Sequence, residues 1–325
     1  TPPNNTERNS SAASDVYKRQ GPGNGVIGRL MCNNPDAPTF ALRADMDALP
    51  GGENTDLPFA STVEGKMHAC GHDAHMTMVL GAAALLKANP PPCNVLFVFQ
   101  PAEEKGGGAR TVINSGVLDS VKAIFGSHVT HHYRVGEIMV AEGPITAQSD
   151  RFRIDIRGRG GHGARPHEAT DAIVVAGLLI TAIQTLVSRD INPVFPSVVT
   201  VGMVHGGTAP NVIAEEAYLE GSIRSTLPEV RDLLHAGLAR MAKAMGDLHN
   251  AEVKLDLTSG YPPVINTGPE AAIAHRAAET VVGREVLMAI DHHSMGSEDF
   301  AYYLEKIPGC YVRFGARRRD NEYIP

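Results

Sequence analysis

The 325-residue sequence has few cysteines, no excess of basic residues and no long uninterrupted apolar run. Its four cysteines form no Cys-x-x-Cys pair and are too sparse to crosslink a chain of this size, which argues against a disulfide-rich secreted fold and predicts a cytoplasmic location. The net charge of −7 argues against binding to nucleic acid. The apolar residues 172–187 are interrupted by Gly177, Thr181 and Gln184, so no membrane span of ~20 residues is predicted.

What remains is the composition of a globular protein, with 43% hydrophobic and 20% charged residues. The length predicts two domains, because single cores rarely grow beyond about 250 to 300 residues. Residues 1–25 are rich in Asn, Ser, Pro and Gly and show no apolar periodicity, so the first 20 or so are expected to be disordered or foreign to the protein. The sequence stops at Pro325 without a closing helix, which is expected of a truncated gene product.

The first part of the sequence alternates between strand-like and helix-like segments. Strand-like apolar runs occur at residues 26–31, 40–42, 95–99 and 123–125, and a helix rich in small residues is predicted at 76–88. Such alternation predicts an α/β layer.

A different pattern begins at about residue 145. The predicted order of strands and helices is β-α-β-β-α-β, that of a ferredoxin-like unit, at residues 151–157, 171–189, 198–204, 217–224, 228–248 and 252–257. Residues 267–282 and 312–314 then resume the helix and strand pattern. We therefore predict a domain at 145–258 inserted into a discontinuous domain of residues 21–144 and 259–325, preceded by the disordered segment 1–20.

Each early strand-like run leads directly into polar residues. Asp45 and Asp47 follow the second run, Glu103 and Glu104 follow the third, and His128 follows the fourth. In open α/β sheets, ligands bind beyond the carboxyl ends of the strands. These side chains are therefore predicted to converge in one crevice.

Cys70 and His72 form a further cluster before the predicted helix at 76–88. In an extended segment, residues i and i+2 project to the same side, so both side chains could reach one ion. Thiolate, imidazole and carboxylate ligands together suit zinc, manganese or a related divalent metal. The alternative is that Cys70 is a buried apolar residue and the neighbouring histidines face solvent in a turn.

The adjacent carboxylates of Glu103 and Glu104 follow a proline break. Neighbouring residues in an irregular turn point in different directions, so one carboxylate could bind metal while the other faces an attacking water, as amide hydrolysis requires. A solvated pair of glutamates is the alternative.

Eight motifs along the chain resemble those of the co-catalytic-metal amidohydrolase and carboxypeptidase family, which includes hippurate hydrolase, auxin amino-acid conjugate hydrolases and N-acyl-amino-acid deacylases. In order they are LRADMDALP (42–50), MHACGHDAH (67–75), FQPAEE (99–104), GSHV (126–129), GRGGHGARPH (158–167), APNVI (209–213), GSIR (221–224) and GSEDF (296–300). The resemblance spans about residues 26–325. It implies an α/β, metal-dependent exopeptidase-like catalytic domain with an inserted ferredoxin-like α+β dimerisation domain.

The resemblance also implies a metal centre and a reaction. Its two divalent ions, manganese or zinc, are expected to bind to Cys70, His72, Glu104 and His128, with Glu103 as the general base. The expected reaction is hydrolysis of the amide bond of an N-acyl amino acid by a homodimer, without nucleic-acid or membrane partners. A dipeptidase or a diaminopimelate-type deacylase of the same family is an alternative, and so is a truncated scaffold without catalysis.

Further roles follow from the resemblance by position. Asp47 matches an Asp that orients the site, and Asp45 stands where more distant relatives carry a ligand His. His162 matches a His that acts on the scissile carbonyl, while Asn211 and Arg224 match residues that hold the substrate carboxylate, a task suited to a guanidinium.

The chain departs from the family pattern at three places. The family's N-terminal segment, with its opening helix, is expected to be missing or replaced by residues 1–20. The family carries another metal-ligating His in a motif near the C-terminus, and this sequence ends about where that motif would begin. His131 and His132 stand where relatives more often carry Trp and Pro, and we predict that they lie on the surface.

Overall fold

The computed structural model describes residues 16–20, 24–34, 36–55, 57–104, 106–289 and 294–318, with only the backbone given for 16–20. Of the segment 1–20 that was expected to be disordered or foreign, residues 1–15 lie outside the described residues. Residues 16–20 form a strand paired antiparallel with the next strand. His292, His293 and the chain end after residue 318 also lie outside the described residues.

The strands in chain order are β1 (Val16–Gln20), β2 (Val26–Leu30), β3 (Thr39–Asp45), β4 (Leu49–Pro50), β5 (Lys66–Met67), β6 (Asn94–Gln100), β7 (Val121–Arg134), β8 (Ile138–Met139), β9 (Gly143–Pro144), β10 (Gln148–Arg157), β11 (Gly161–His162), β12 (Ser197–Gly206), β13 (Val212–Ile213), β14 (Glu216–Ser225), β15 (Glu252–Ser259), β16 (Ile265–Asn266), β17 (Leu287–Met288) and β18 (Gly309–Arg317). The α-helices are α1 (His72–Ala88), α2 (Gly108–Asn114), α3 (Ala172–Thr185), α4 (Pro228–His249), α5 (Gly268–Val282) and α6 (Ala301–Leu304).

The described residues group into two compact units. The first contains those up to Glu142, Asn266–Ala289 and those from Tyr302 onward, and the second contains Gly143–Ile265 with residues 294–301. The sequence analysis assigned residues 294–301 to the catalytic domain. They group with the second unit because the Ala147 N–H donates to the carbonyls of Ser294 and Gly296.

The first unit is built on an eight-stranded sheet in the order β1-β2-β6-β3-β7-β18-β8-β17. Strand β3 runs parallel to both β6 and β7, and β7 runs parallel to β18, so the carboxyl ends of these strands meet at one edge. The apolar runs predicted from the sequence become β2, β3, β6 and the first half of β7. All four cysteines lie in this unit as free thiols.

Strand β7 is longer than predicted. The apolar run ends at residue 125, but the strand continues to Arg134 because β18 pairs with it as far as Thr130 and again at Arg134. His128 therefore lies within a strand rather than after one.

The second unit has the element order predicted from the sequence. Its sheet has the order β12-β14-β10-β15, with every neighbouring pair antiparallel. Helices α3 and α4 pack on one face through Leu179, Ile183, Leu234 and Leu238, which are fully buried. The other face carries the alternate, polar side chains of the strands.

Helix α3 continues through a π-helical turn, and the resulting helix, Ala172–Asp190, is by length and hydropathy able to cross a membrane. The sequence analysis predicted a helix at residues 171–189 but no membrane span in this apolar run. In this structure the apolar side chains of the helix form part of a protein core: Val175, Leu179 and Ile183 pack into the core of the second unit. Helices of protein cores commonly share this composition.

Candidate metal centre

The parallel strands of the first unit bring several polar side chains to the same level. Asp45 is the last residue of β3 and pairs with Gln100, the last residue of β6. Arg43 pairs with Gly126 in β7, so His128, two residues further on, stands beside Asp45. The sheet edge predicted from the sequence therefore carries side chains from three neighbouring strands.

The start of α1 brings in two more side chains. Gly71 caps the helix in the left-handed conformation with a φ of 80°, and His72 is the first helical residue. The extended geometry expected for Cys70 and His72 is therefore wrong, since the two residues flank a helix N-terminus. A Cβ on Gly71 would lie 2.4 Å from Val129 Cγ2, so this turn requires glycine on both conformational and steric grounds.

Among the described residues, three sets of possible metal-binding atoms share His72, and within each set the atoms lie within 4.8 Å of one another. The sets are Cys70 with His72 and His128, His72 with Glu103 and Glu104, and Asp45 with His72 and His75. The Cys70 Sγ lies 3.5 Å from His128 Nε2, and His72 Nε2 lies 3.9 Å from Glu104 Oε1. The structure thus brings together all the residues of the first unit that the resemblance implies as ligands or base.

Backbone carbonyls orient both imidazoles. His72 Nδ1 lies 2.9 Å from the Asp47 carbonyl oxygen, and His128 Nδ1 lies 2.5 Å from that of Val129. A carbonyl can only accept, so in each ring Nδ1 carries the proton and Nε2 presents a lone pair. Metal-bound histidines are commonly held in this way through their second nitrogen.

Two buried atoms at the centre have no hydrogen-bonding partner among the residues that the structure describes. They are His72 Nε2 and Glu104 Oε1. Both present lone pairs, and burying such groups without a partner is costly. A divalent cation would satisfy both, so the donor atoms fit a metal site.

Asp47 fixes the loop that carries the two glutamates. Its Oδ1 accepts the Glu103 N–H and its Oδ2 the Glu104 N–H, both at 3.0 Å. Burial alone would raise the pKa of Asp47, but the hydrogen bonds from His72 and from these two amides lower it. Ala102, just before the pair, has a φ of 56°, a strained conformation for alanine that the bonds to Asp47 help to hold.

His75 is a residue of the centre that the sequence analysis missed. Its Nδ1 donates to Asp45 Oδ1 at 2.6 Å, and its Nε2 accepts the Val129 N–H at 2.9 Å. Asp45 in turn accepts a hydrogen bond from Arg43 at 2.6 Å. Because both nitrogens of His75 are used, Asp45 and His75 support the centre rather than bind a metal, although their atoms also cluster with His72. The signal available in the sequence was the i, i+3 spacing of His72 and His75 on one helix.

Negative charge is concentrated at this centre. Burial raises the pKa of the Cys70 thiol far above its usual range, and the carboxylates of Glu104, Glu103 and Asp45 raise it further. Burial lowers the pKa of His72, yet its contacts with Asp47 and Asp45 outweigh that effect and the net shift is upward. The contributions of the carboxylates to both shifts have the sign that favours a cation at this place.

The remaining predicted site residues lie in the second unit. His162 and Asn211 line one groove of about 1390 Å³ on that unit. His162 pairs with Val212 across β11 and β13, and the Gly163 N–H donates to the Asn211 carbonyl at 2.8 Å, so the two predicted residues are neighbours. Arg224 is outside the described lining of this groove, and its Nη1 donates to the Met295 carbonyl at 2.6 Å.

A family model decides the class of protein. The model described as peptidase family M20/M25/M40 matches residues 41–325. The chain belongs to this family. Its mixed α/β fold also matches solved M20 structures. The crystal structure of the Bacillus subtilis YXEP protein, described as a dinuclear metal-binding peptidase of the M20 family, matches the M20 chain with a TM-score of 0.81 at 36% identity, covering 95% of this chain and 81% of that one.

Two of the relatives are named as deacetylases of N-acetyl amino acids. The N-acetylcysteine deacetylase of Bacillus subtilis (strain 168) is 41% identical to the M20 chain over 303 residues, which are 93% of this chain and 79% of the relative. The N-acetyldiaminopimelate deacetylase of Listeria monocytogenes serotype 4a (strain HCC23) is 38% identical over 301 residues, or 92% and 80%. The M20 chain is a metal-dependent amidohydrolase.

Proposed function

We propose that this M20 chain removes the acyl group of N-acyl amino acids by hydrolysing their amide bond. The observation that carries the proposal is that His72 Nε2 and Glu104 Oε1 are buried with no hydrogen-bonding partner among the described residues. Other side chains that could bind a metal lie close to both atoms. The names of the two deacetylase relatives support this substrate class.

We further propose that the centre binds two divalent ions, zinc or manganese, through Cys70, His72, Glu104 and His128. The mixture of thiolate, imidazole and carboxylate suits either metal. When bound, the ions supply Lewis acidity, which polarises the acyl carbonyl and makes a nearby water more acidic.

Glu103 is the proposed general base. Its side chain is buried at 5% exposure, its backbone is held by Asp47, and it stands next to Glu104 in the same donor set. Glu103 accepts a proton from the attacking water and then passes it to the nitrogen of the leaving amino acid, so that the acid and amine products balance. Asp47 acts by position, because it holds the backbone amides of both glutamates and the ring of His72.

The second unit supplies the other proposed contacts. His162 donates a hydrogen bond to the oxygen that becomes negative as the carbonyl is attacked. Asn211 and Arg224 bind the carboxylate of the amino acid, the amide by hydrogen bonding and the guanidinium by charge. The closeness of His162 and Asn211 on one groove supports a shared substrate.

A homodimer is proposed through the edge strand β12. This strand has ten residues and lies at the end of its sheet with no charged side chain, whereas the opposite edge strand, β15, carries Glu252, Lys254 and Asp256. Natural proteins protect free edges with charge, so an uncharged long edge is suited to pairing with another strand.

Exposed apolar side chains continue from this edge onto α3. Val204 of β12 is 56% exposed, and Ile173, Val174 and Leu178 of α3 are 41 to 51% exposed. Val204 pairs with the buried Leu219, so it stands on the helix-bearing face. A Cβ on Gly206 would lie 3.1 Å from Ile173 Cγ1, which places the start of α3 over the end of β12. A second copy is the partner that offers the same edge and apolar patch in return.

The test of the proposed reaction is Glu103→Gln. Gln cannot take the proton from water, so we expect kcat on N-acetyl amino acids to fall by about 100- to 10,000-fold. Because the ligands are untouched, metal content measured by mass spectrometry should stay at the wild-type value. Glu64→Gln, an exposed acid of the same unit, is the matched control and should leave both quantities unchanged.

Near-normal turnover by the Glu103→Gln variant would contradict the assignment of the base. A substrate panel separates the reaction classes: N-acetylcysteine, N-acetyldiaminopimelate, N-benzoylglycine and an unblocked dipeptide. Hydrolysis of the dipeptide alone would replace the proposed deacylase with a dipeptidase.

A further inference from the structure

Two aromatic rings and a guanidinium form a stack in the groove of the second unit. His205 of β12 and Tyr218 of β14 are directly paired across the sheet. Their rings are stacked with centroids 4.8 Å apart and planes inclined by 24°. Arg153 of β10 places its Cζ 3.9 Å from the centre of the Tyr218 ring. The three side chains therefore form one continuous set of contacts across three strands.

Carboxylates hold the far end of this stack. The Arg153 Nη2 and Nε donate to Asp155 at 2.8 to 3.1 Å, and its Nη1 donates to Glu220. Arg153 is thus fixed in place, it braces Tyr218, and Tyr218 braces His205. Holding a contact residue in advance lowers the entropy lost on binding.

The stack stands in the same groove as two proposed substrate contacts. All three of its side chains line the groove together with His162 and Asn211. His205 is exposed, so its ring offers the groove a flat surface already held in position. Tyr218 alternates with the core residues Ala217 and Leu219, so the stack lies on the sheet face away from the helices and leaves the β12 edge available for pairing.

The charges of the groove indicate what kind of acyl group fits. Each of the cationic side chains in its described lining has a carboxylate partner: Arg153 with Asp155 and Glu220, Arg157 with Glu215, and Lys254 with Asp256. Because these cationic side chains are already paired with carboxylates of the protein, they are poorly suited to bind a second acid group of the substrate. Aromatic rings instead favour a flat, uncharged partner by stacking.

We propose that His205, braced by Tyr218, contacts the acyl group and makes the enzyme prefer N-aroyl over N-acetyl amino acids. This assignment rests on the proposed deacylase function, in which His162 acts at the carbonyl that joins the acyl group to the amino acid. Tyr218 and Arg153 are positioning residues in this assignment, and His205 determines specificity.

The experiment compares kcat/KM for N-benzoyl-L-alanine and N-acetyl-L-alanine with the metal-loaded enzyme. We expect the wild type to favour the benzoyl compound and His205→Ala to lower the benzoyl-to-acetyl ratio by about 3- to 10-fold. His205→Phe keeps a ring and should restore most of the ratio. His167→Ala, an exposed histidine of the same unit outside the described groove lining, should leave the ratio as in the wild type.

The outcomes separate the two proposals. If the wild type hydrolyses neither compound, the deacylase function is overturned and the assignment of His205 with it. If both compounds are hydrolysed but the ratio is the same in the wild type and the His205→Ala variant, or the wild type favours the acetyl compound, only the assignment of His205 is overturned.

Discussion

Three histidines of the metal centre differ in role because their hydrogen-bonding partners differ. His72 and His128 each donate Nδ1–H to a backbone carbonyl, which leaves Nε2 to face the other donors. His75 instead accepts a backbone N–H on Nε2 and donates from Nδ1 to Asp45. Residue type alone therefore does not identify a ligand, whereas the partner of the second nitrogen does.

Gly71 gives a sharp test at the scale of one residue. Gly71 stands between Cys70 and His72 in the sequence and has a φ of 80°. A Cβ added to it would lie 2.4 Å from Val129 Cγ2. We expect Gly71→Ala to lower the free energy of unfolding by about 2 kcal/mol through strain and overlap. It should also weaken metal binding, measured by titration with zinc, because the two flanking donors must shift.

Gly81 is the matched control, since it lies in the same helix with nothing within 4 Å of its missing Cβ. Gly81→Ala should raise the stability in urea by about 0.8 to 1.0 kcal/mol, the difference in helix propensity between the two residues. Equal effects of the two substitutions would contradict a special role for Gly71.

At the scale of elements, the sequence predicts where strands and helices lie because the spacing of apolar residues differs between the two kinds of element. The parallel strands then bring Asp45 and His128 to one edge of the sheet, as expected from their positions near strand ends. The length of β7 and the pairing of β1 with β2 depend on partner strands, which a local pattern does not contain. The start of α1 at His72 depends on the left-handed Gly71, so the short polar stretch that was expected to be extended is a turn that leads into a helix.

Asp150 connects three elements of the second unit and is 1% exposed. It accepts two hydrogen bonds from Arg231 at 2.6 and 2.8 Å, lies 2.7 Å from His235 Nε2, and accepts the Gly260 N–H at 3.0 Å. Burial alone would raise the pKa of Asp150, but Arg231, the Gly260 amide and His235 together lower it. The ionised carboxylate is thus bound more strongly in the folded state than in the unfolded chain.

The lowered pKa of Asp150 sets the sign of a pH effect. Its contribution to stability is complete above the unfolded pKa of about 3.9 and is lost as the pH falls through the lower folded value. We expect Asp150→Asn to cost about 3 kcal/mol at pH 7 and the difference from the wild type to shrink only below about pH 4. Urea unfolding across this pH range measures it.

Asp190→Asn serves as the control for Asp150, because Asp190 pairs with Arg240 on the surface of the same unit with 41% of its side chain exposed. This change should cost less than about 1 kcal/mol at any pH. An Asp150→Asn cost that does not shrink below about pH 4 would contradict the role of the ionised carboxylate.

At the scale of the whole molecule, the proposed dimer can be tested by charge. Val204→Lys places a cation on the helix-bearing face beside the β12 edge, and twofold symmetry would bring two such cations together. We expect the dissociation constant of the dimer, measured by sedimentation equilibrium, to rise by roughly 100-fold. Thr258→Lys on β15 is the control at the opposite edge and should have no effect. A wild type that sediments as a monomer would overturn the proposal.

The proposed metal ligands and general base could be anticipated from the sequence more fully than their surroundings. Cys70, His72, Glu103, Glu104 and His128 stand in motifs whose residue types already suggest metal chemistry. The support from Arg43 and His75, and the stack of His205 on Tyr218, join residues that are distant in the chain. Such contacts arise only when strands are paired, so composition and spacing could not reveal them.

The difference in charge between the two edge strands of the second unit's sheet limits how many copies could join through that sheet. A sheet with two adhesive edges can add copies without end, as fibres do. Here β15 carries charges of both signs and β12 carries none. In the proposed dimer, two sheets joined through β12 would expose only their charged β15 edges, so a third copy would find no uncharged edge to pair with.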